Sequence, residues 1–256
     1  MKPVYVRGIG LWTPGYDRPL AWCQQKMDPA VEKPVAALLE GPLRRRATPL
    51  TRMAVEVFQQ ATTQAACDPA SISTIWATAH GEHTPAIKLL EMMQRDPGKL
   101  SPTQFHNSVH NTASGYASIA TGNVAPSTTL TGGGELVATA LLEAWCLVES
   151  MGVDVAVVFA DESLQPPFDR ADAHSSLAIA LILSRDPTRA LCELTKLRRT
   201  TIARIPDYEH FGYLHVSAAL PLLEQISNGQ PGEISLELAS ADSGPAWCVD
   251  LNLVSS

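Results

Sequence analysis

Two short segments, Val153–Ala160 (VDVAVVFA) and Ser176–Leu183 (SLAIALIL), are apolar at nearly every position. A strand wet on one face alternates apolar and polar residues, whereas a continuous apolar run of this length marks a strand covered on both faces. The two runs are therefore expected to be central neighbours in one sheet, with helices on either side and the turn region Gln165-Pro166-Pro167-Phe168-Asp169 between them. That requirement selects a layered α/β fold, helix on sheet on helix.

The remaining elements are read around this pair. Val4–Leu11 (VYVRGIGL) reads as a first strand stopped by Thr13-Pro14-Gly15, and Ile72–Ala79 (ISTIWATA) as a second. Helices are expected over Leu20–Met27, from Pro49 to about Cys67, over Pro85–Arg95, and over Glu135–Met151, the last stopped by Gly152. In that last helix Val137, Leu141, Ala144, Trp145 and Val148 recur at helical spacing, and Trp145 and Cys146 are read as core. Past Asp186-Pro187 the texture changes. Leu191–Ala203 reads as a strand, Ile205–Phe211 as a loop, Val216–Ser227 as a helix stopped at Asn228-Gly229, and Gly232–Ala239 with Trp247–Val254 as a closing strand pair around Ser243-Gly244-Pro245.

Between the short strand Ser127–Leu130 and the helix that begins near Glu135 lies Thr131-Gly132-Gly133-Gly134. Three consecutive glycines suit a backbone that needs positive φ or very close approach, and a strand-to-helix turn of that kind is a place where enzymes put a nucleophile. Upstream, Ser101-Pro102-Thr103 and Phe105–Ser118 form an Asn-rich, polar helix start.

This text resembles the heart of a β-ketoacyl synthase, a condensing enzyme of thiolase fold. The run SPTQFHNSVHNTASGYASI is similar to a short branch of the family's N-terminal domains found among chain-length-factor-like proteins of aryl polyene clusters. Aligned on Asn111-Thr112-Ala113-Ser114-Gly115, on Glu143-Ala144 and on Asp161-Glu162, the family's reactive cysteine falls on Gly134. Condensation needs a thiolate, favoured at a helix N-terminus, to carry the acyl chain, and glycine offers nothing to acylate. Glu135 suits the positive end of the helix dipole but is a poor acyl carrier. The resemblance implies a thiolase-like fold with an abbreviated second half, residues 1–186 forming the N-terminal half and 187–256 packing on the same core. It also implies that Phe105, His106, His110, Asn111 and Ser114 lie at a dimer interface or tunnel wall. The polar residues His110 and Asn111 have a plainer reading as helix caps. His215-Val216-Ser217-Ala218-Ala219 is faintly similar to the family's Gly-His motif without its glycine, and is not read as catalytic.

Arg44-Arg45-Arg46 is either a solvated surface cluster or a docking patch for an acidic acyl carrier protein. His80, Glu82 and His83, and His106 with His110 if helical, are metal-ligand types, but no further ligand has diagnostic spacing and no metal or cofactor is expected. A net charge of −7 argues against nucleic acid as the main partner. The start MKPVYVRGIG carries no signal-peptide pattern, and no stretch reaches the ~18 apolar residues of a membrane span. The five cysteines, Cys23, Cys67, Cys146, Cys192 and Cys248, are scattered and odd in number, as reduced thiols of a cytoplasmic protein are.

Three functions are weighed. The first is a non-catalytic subunit that pairs with an active ketosynthase, as a heterodimer or, failing that, a homodimer, and meets its acyl carrier protein. The second is a free-standing acyltransferase or decarboxylase using Glu135 with His110 or His215. The third is a CoA-binding module with the glycine turn as phosphate cradle, disfavoured by Glu135 and by the lack of a G-x-G-x-x-G or P-loop pattern.

Overall fold

The structure is a computed structural model and describes residues 1–95, 100–164, 168, 175–205, 208, 210–211, 214–239 and 244–254. The expected turn at 165–169 lies outside them apart from Phe168, as do parts of the 205–211 loop and Ser243.

In chain order the elements are β1 (Val4–Trp12), α1 (Pro19–Cys23), α2 (Gly41–Arg46), α3 (Pro49–Ala65), β2 (Ser73–Thr78), α4 (His83–Arg95), α5 (Pro102–His106), α6 (Thr112–Thr121), β3 (Ser127–Thr131), α7 (Leu136–Met151), β4 (Val155–Asp161), β5 (Leu177–Ser184) and β6 (Cys192–Thr200), followed by a 3-10 turn at His215–Ala219 that leads into α8 (Leu220–Asn228), then β7 (Gly232–Ser235) and β8 (Ala246–Asn252). The strands form one sheet in the order β3-β2-β4-β5-β1-β6-β8-β7. As expected, the two apolar runs become adjacent central strands, paired antiparallel from Val155–Leu183 to Asp161–Leu177 and buried at every position. β2, β3 and β4 run parallel to one another. The join between β1 and β6 is only three residue pairs long, Val4–Val6 against Leu194–Cys192.

Each central strand sends most of its large residues to one face and most of its alanines to the other. On β4 and β5, Val155, Val157, Phe159, Leu177, Ile179 and Leu181 face the core containing α7 and α8. Ala156, Val158, Ala160, Ala178, Ala180 and Ile182 face the core containing α3 and α6. The period of two that both runs conceal as uniform hydrophobicity is thus an alternation of large side chains with mostly alanine, broken by Val158 and Ile182. The small face lets α3 sit hard against the sheet. A Cβ built on Gly8 would come within 2.1 Å of the Ala61 carbonyl oxygen, and one on Gly10 within 2.4 Å of the Val57 carbonyl oxygen. On β1 these glycines are therefore obligatory. Gln64 and Gln60 of α3 then reach past them to accept hydrogen bonds from Ile9 N (2.8 Å) and Leu11 N (3.0 Å).

On the opposite face, α7 buries Leu136, Val137, Leu141, Ala144, Trp145 and Val148. Trp145 is 1% exposed and its indole N–H donates to the Lys2 carbonyl at 2.7 Å. A side chain of that size contributes at least the ~1.5–3 kcal/mol of a fully buried Phe or Leu. Residues of β6, β7 and β8 share this core with α7, α8 and the central strands, so the chain after residue 186 adds strands to the same sheet. Helix ends follow their local chemistry: Thr48 Oγ1 caps α3 by accepting from Thr51 N, and Ala66, Gly122, Gly152 and Gly229 end α3, α6, α7 and α8 in left-handed conformation.

Several sequence expectations shift. The helix expected over Leu20–Met27 is only the five-residue α1, because Gln25 turns to positive φ. The helix expected from Val216 begins as a 3-10 turn at His215, with Pro221 at the first turn of α8. The Asn-rich segment is two helices, since the chain breaks between His106 and Thr112.

Candidate functional site

The carboxyl ends of the parallel strands β2, β3 and β4 converge, and each delivers a different kind of group. β3 ends at Thr131 and releases Gly132-Gly133-Gly134-Glu135 before α7 begins. All four are exposed. The expectation that these glycines serve positive φ or close approach is overturned: none of the three is left-handed. A Cβ on Gly134 would meet nothing within 4 Å, and one on Gly132 would make ordinary contact with Leu136 at 3.5 Å. A Cβ on Gly133 would have only His215 Nε2 near it, at 3.9 Å. The turn has room for side chains and lacks them.

His215, at the start of the 3-10 turn before α8, thus looks onto the elbow. The ring of His80, from the end of β2, lies 6.3 Å from the His215 ring at an angle of 34°. Two imidazoles from distant parts of the chain therefore meet beside a side-chain-free turn. Glu135 points away from this pair into a half-exposed ion pair with Arg199 of β6 at 3.3 Å.

What holds His80 there is β4. Asp161, fully buried, accepts from Thr78 Oγ1 at 2.6 Å and from the backbone N–H groups of Ala79 and His80, each at 3.0 Å. Thr78 Oγ1 in turn accepts from Gly81 N at 2.8 Å. Burial drives the Asp161 pKa upward, and the hydrogen bonds from Thr78, His80 and Ala79 oppose it. Next to it, Glu162 accepts from Thr84 N at 3.3 Å, and its Oε1 lies 3.5 Å from His83 Nδ1. Glu82, 2% exposed, accepts through Oε1 from Thr48 Oγ1 and Thr51 Oγ1, both at 2.8 Å. Desolvation by burial pushes its pKa up to about 7; the two threonine hydroxyls oppose that shift and the Glu162 carboxylate adds to it. Among the described residues no group of three or more His, Cys, Asp or Glu side chains could hold a metal ion.

The other sequence candidates lie outside this centre. Phe105 and His106 are exposed on α5, with the His106 ring packed 5.9 Å from Tyr116. His110 is exposed and its Cβ would be 3.6 Å from a Cβ on Gly81. Because α5 and α6 are separate helices, His106 and His110 do not share a helix face, which corrects that expectation. Asn111 stands at the N-cap of α6, but its side chain makes no capping bond, so its expected role as a cap is not realised. Ser114 Oγ donates to the Asn111 carbonyl and accepts from Thr129 of β3. Arg44, Arg45 and Arg46 form the exposed last turn of α2. The Arg46 carbonyl accepts from Asn107 Nδ2 at 2.8 Å, and Asn107 Oδ1 accepts from Tyr116 Oη at 3.0 Å, so α2 is stitched to the α5–α6 segment.

Reading the sequence found the elbow and the loop after β2, because both follow parallel strands, where α/β proteins bind ligands. It missed the meeting of His80 with His215, which are separated by most of the chain, and the carboxylate network beneath them. The only signal for that network was the polar Asp161-Glu162 ending an otherwise apolar run.

The fold and this strand-elbow-helix centre define a thiolase-like, ketosynthase-type protein. A family model described as "Beta-ketoacyl synthase, N-terminal domain" matches residues 20–231, and the chain belongs to that family. Among solved structures, it is similar to a ketosynthase in complex with its chain length factor from Xenorhabdus doucetiae, at 19% identity and a TM-score of 0.69, over 98% of this chain and 100% of the other. It is also similar to the ishigamide ketosynthase/chain length factor, at 12% identity and a TM-score of 0.75, over 99% and 100%. A third similar structure is of a type II polyketide acyl-carrier protein in complex with its ketosynthase bound to the hexaketide, at 13% identity and a TM-score of 0.77, over 99% of both chains. At these identities the likeness is one of fold. No curated protein sequence matches the chain. Among the described residues no helix is long and apolar enough to cross a membrane.

Proposed function

We propose that this ketosynthase-like protein is a non-catalytic subunit, similar to a chain length factor, that pairs with an active β-ketoacyl-ACP synthase and bounds the tunnel in which an acyl or polyene chain grows. The observation that carries the reading is Gly134. The position aligned with the family's cysteine has open space for a side chain and a helix N-terminus behind it, yet offers nothing to acylate. Loss of the nucleophile with its surroundings kept fits a protein that shapes a partner's reaction.

The pairing surface in this reading is the α5–α6 segment with β3. β3 is an edge strand without proline, lysine or bulge, the kind of edge that another strand can extend. Around it, Phe105 (63%), Ile119 (64%) and Val124 (96%) are exposed apolar side chains of the type that partners cover. Arg44–Arg46 on α2 would face the acidic carrier protein, and the complex would work in the cytoplasm on aryl polyene, polyketide or fatty acyl chains. Residues 1–186 would supply the ketosynthase-like N-terminal half and 187–256 the shortened one. Co-expression with an active β-ketoacyl-ACP synthase from the same genome tests the proposal. A stable heterodimer is expected; a ketosynthase that never co-purifies with this chain and is fully active alone overturns it.

The His80–His215 pair favours one second reading, a residual decarboxylase in which two imidazoles stabilise the enolate left when a malonyl thioester loses carbon dioxide. Incubation with malonyl-carrier protein, followed by mass analysis, decides it: an unchanged malonyl group eliminates this activity.

A further inference from the structure

The Glu82 cluster is buried, joins three elements and has no part in the function proposed above. Its carboxyl bridges the start of α3, through Thr48 and Thr51, to the loop between β2 and α4. The loop carries His80 on one side of Glu82 and His83 on the other. Only one oxygen is engaged. Oε2 is buried and has no hydrogen-bond partner among the described residues. Of those residues, the one charged group that acts on it, Glu162, is unfavourable for a negative charge. Glu162, from the end of β4, is a second buried acid, and His83 of α4 lies at Glu162. Tyr116 of α6, a neutral phenol, feels both Glu82 and Arg46 of α2. His110 of the α5–α6 connection borders the adjacent Gly81 and is exposed.

We propose that the Thr48–Thr51–Glu82 contact is a proton-operated latch on the loop between β2 and α4, closed while Glu82 carries its proton and released as the carboxyl ionises. The physical reason is the unequal environment of the two states. Closed, the carboxyl sits in a dry site beside Glu162, which penalises the anion. Open, it is hydrated and has an ordinary acidity. The proton-bound form prefers the closed state more strongly than the anion does, so opening is linked to the release of one proton. The upward shift of Glu82 to about 7 agrees with this geometry. The sign follows from linkage: the closed state binds the proton more tightly, so the latch is firmest at acid pH. It weakens as pH rises from the ordinary carboxyl range towards 7, and opening levels off above that. Release would loosen Gly81–Thr84, while the bonds from Ala79 and His80 to Asp161 still hold His80 opposite His215.

Amide hydrogen exchange of Gly81–Thr84 between pH 5 and pH 8.5, corrected for intrinsic exchange, reads the opening equilibrium directly. In the natural chain the opening constant should rise up to about tenfold per pH unit below pH 7 and then flatten. Glu82→Gln keeps the oxygen that accepts from both threonines and cannot ionise, so its profile should be flat. Glu162→Gln removes the neighbouring charge and should move the plateau to lower pH, which keeps the inference testable if the first variant misfolds. A pH-independent opening constant in the natural chain, or a pH dependence that survives Glu82→Gln, overturns the latch. The result does not depend on whether the chain pairs with a ketosynthase.

Discussion

Glycine appears in two places that matter, and the same residue does opposite things in them. On β1, Gly8 and Gly10 are buried under α3, where any Cβ would collide with a backbone carbonyl. At the elbow, Gly132, Gly133 and Gly134 are exposed, adopt no left-handed φ and have space around them. The first pair is explained by packing alone. Packing does not explain the second group: these positions have room for side chains and carry none.

The contrast is breakable by substitution. The largest effect is expected for Gly10→Ala, which places a methyl against the Val57 carbonyl and should cost about 3 kcal/mol or more, with Gly8→Ala at least as severe. Chemical denaturation measures both, and a cost under ~0.5 kcal/mol would erase the distinction. Asp161→Ala comes next. It strips the acceptor from Thr78, Ala79 and His80 in a buried site, and a loss of about 2–4 kcal/mol is expected, with faster exchange in the loop after β2. Gly134→Cys should fold with stability changed by no more than ~0.5 kcal/mol, since the site is exposed and open. Its thiol should be alkylated by iodoacetamide far faster than Cys192, whose pKa is pushed up to about 12 by burial. Equal labelling of the two would mean that the elbow is as enclosed as Cys192 on β6. The smallest effect belongs to Glu135→Gln, which breaks a half-exposed pair with Arg199 and should change stability by at most ~0.5 kcal/mol, less at high salt.

Legibility in the sequence tracked how local the cause was. α7 was readable at both ends, because its apolar spacing and the stop at Gly152 are both local. The break between α5 and α6 is not legible in the polar helix start read over Phe105–Ser118, because Asn107 there turns inward to Tyr116 and to the Arg46 carbonyl, a partner distant in sequence. The elbow was located correctly but its glycines were given the wrong cause. A run of glycines in a sequence does not distinguish a strained turn from an open one.

By itself, the sequence determined the layered α/β class, the central pairing of β4 with β5 and the absence of a nucleophile at Gly134, since hydrophobic runs and residue identity need no knowledge of contacts. Only the tertiary structure decided that β1's glycines seat α3, that His80 and His215 face each other, and that Glu82 lies dry between two threonines. Those facts depend on which distant segments are brought within a few ångströms, and burial acts on acidity and sterics only after that approach is made.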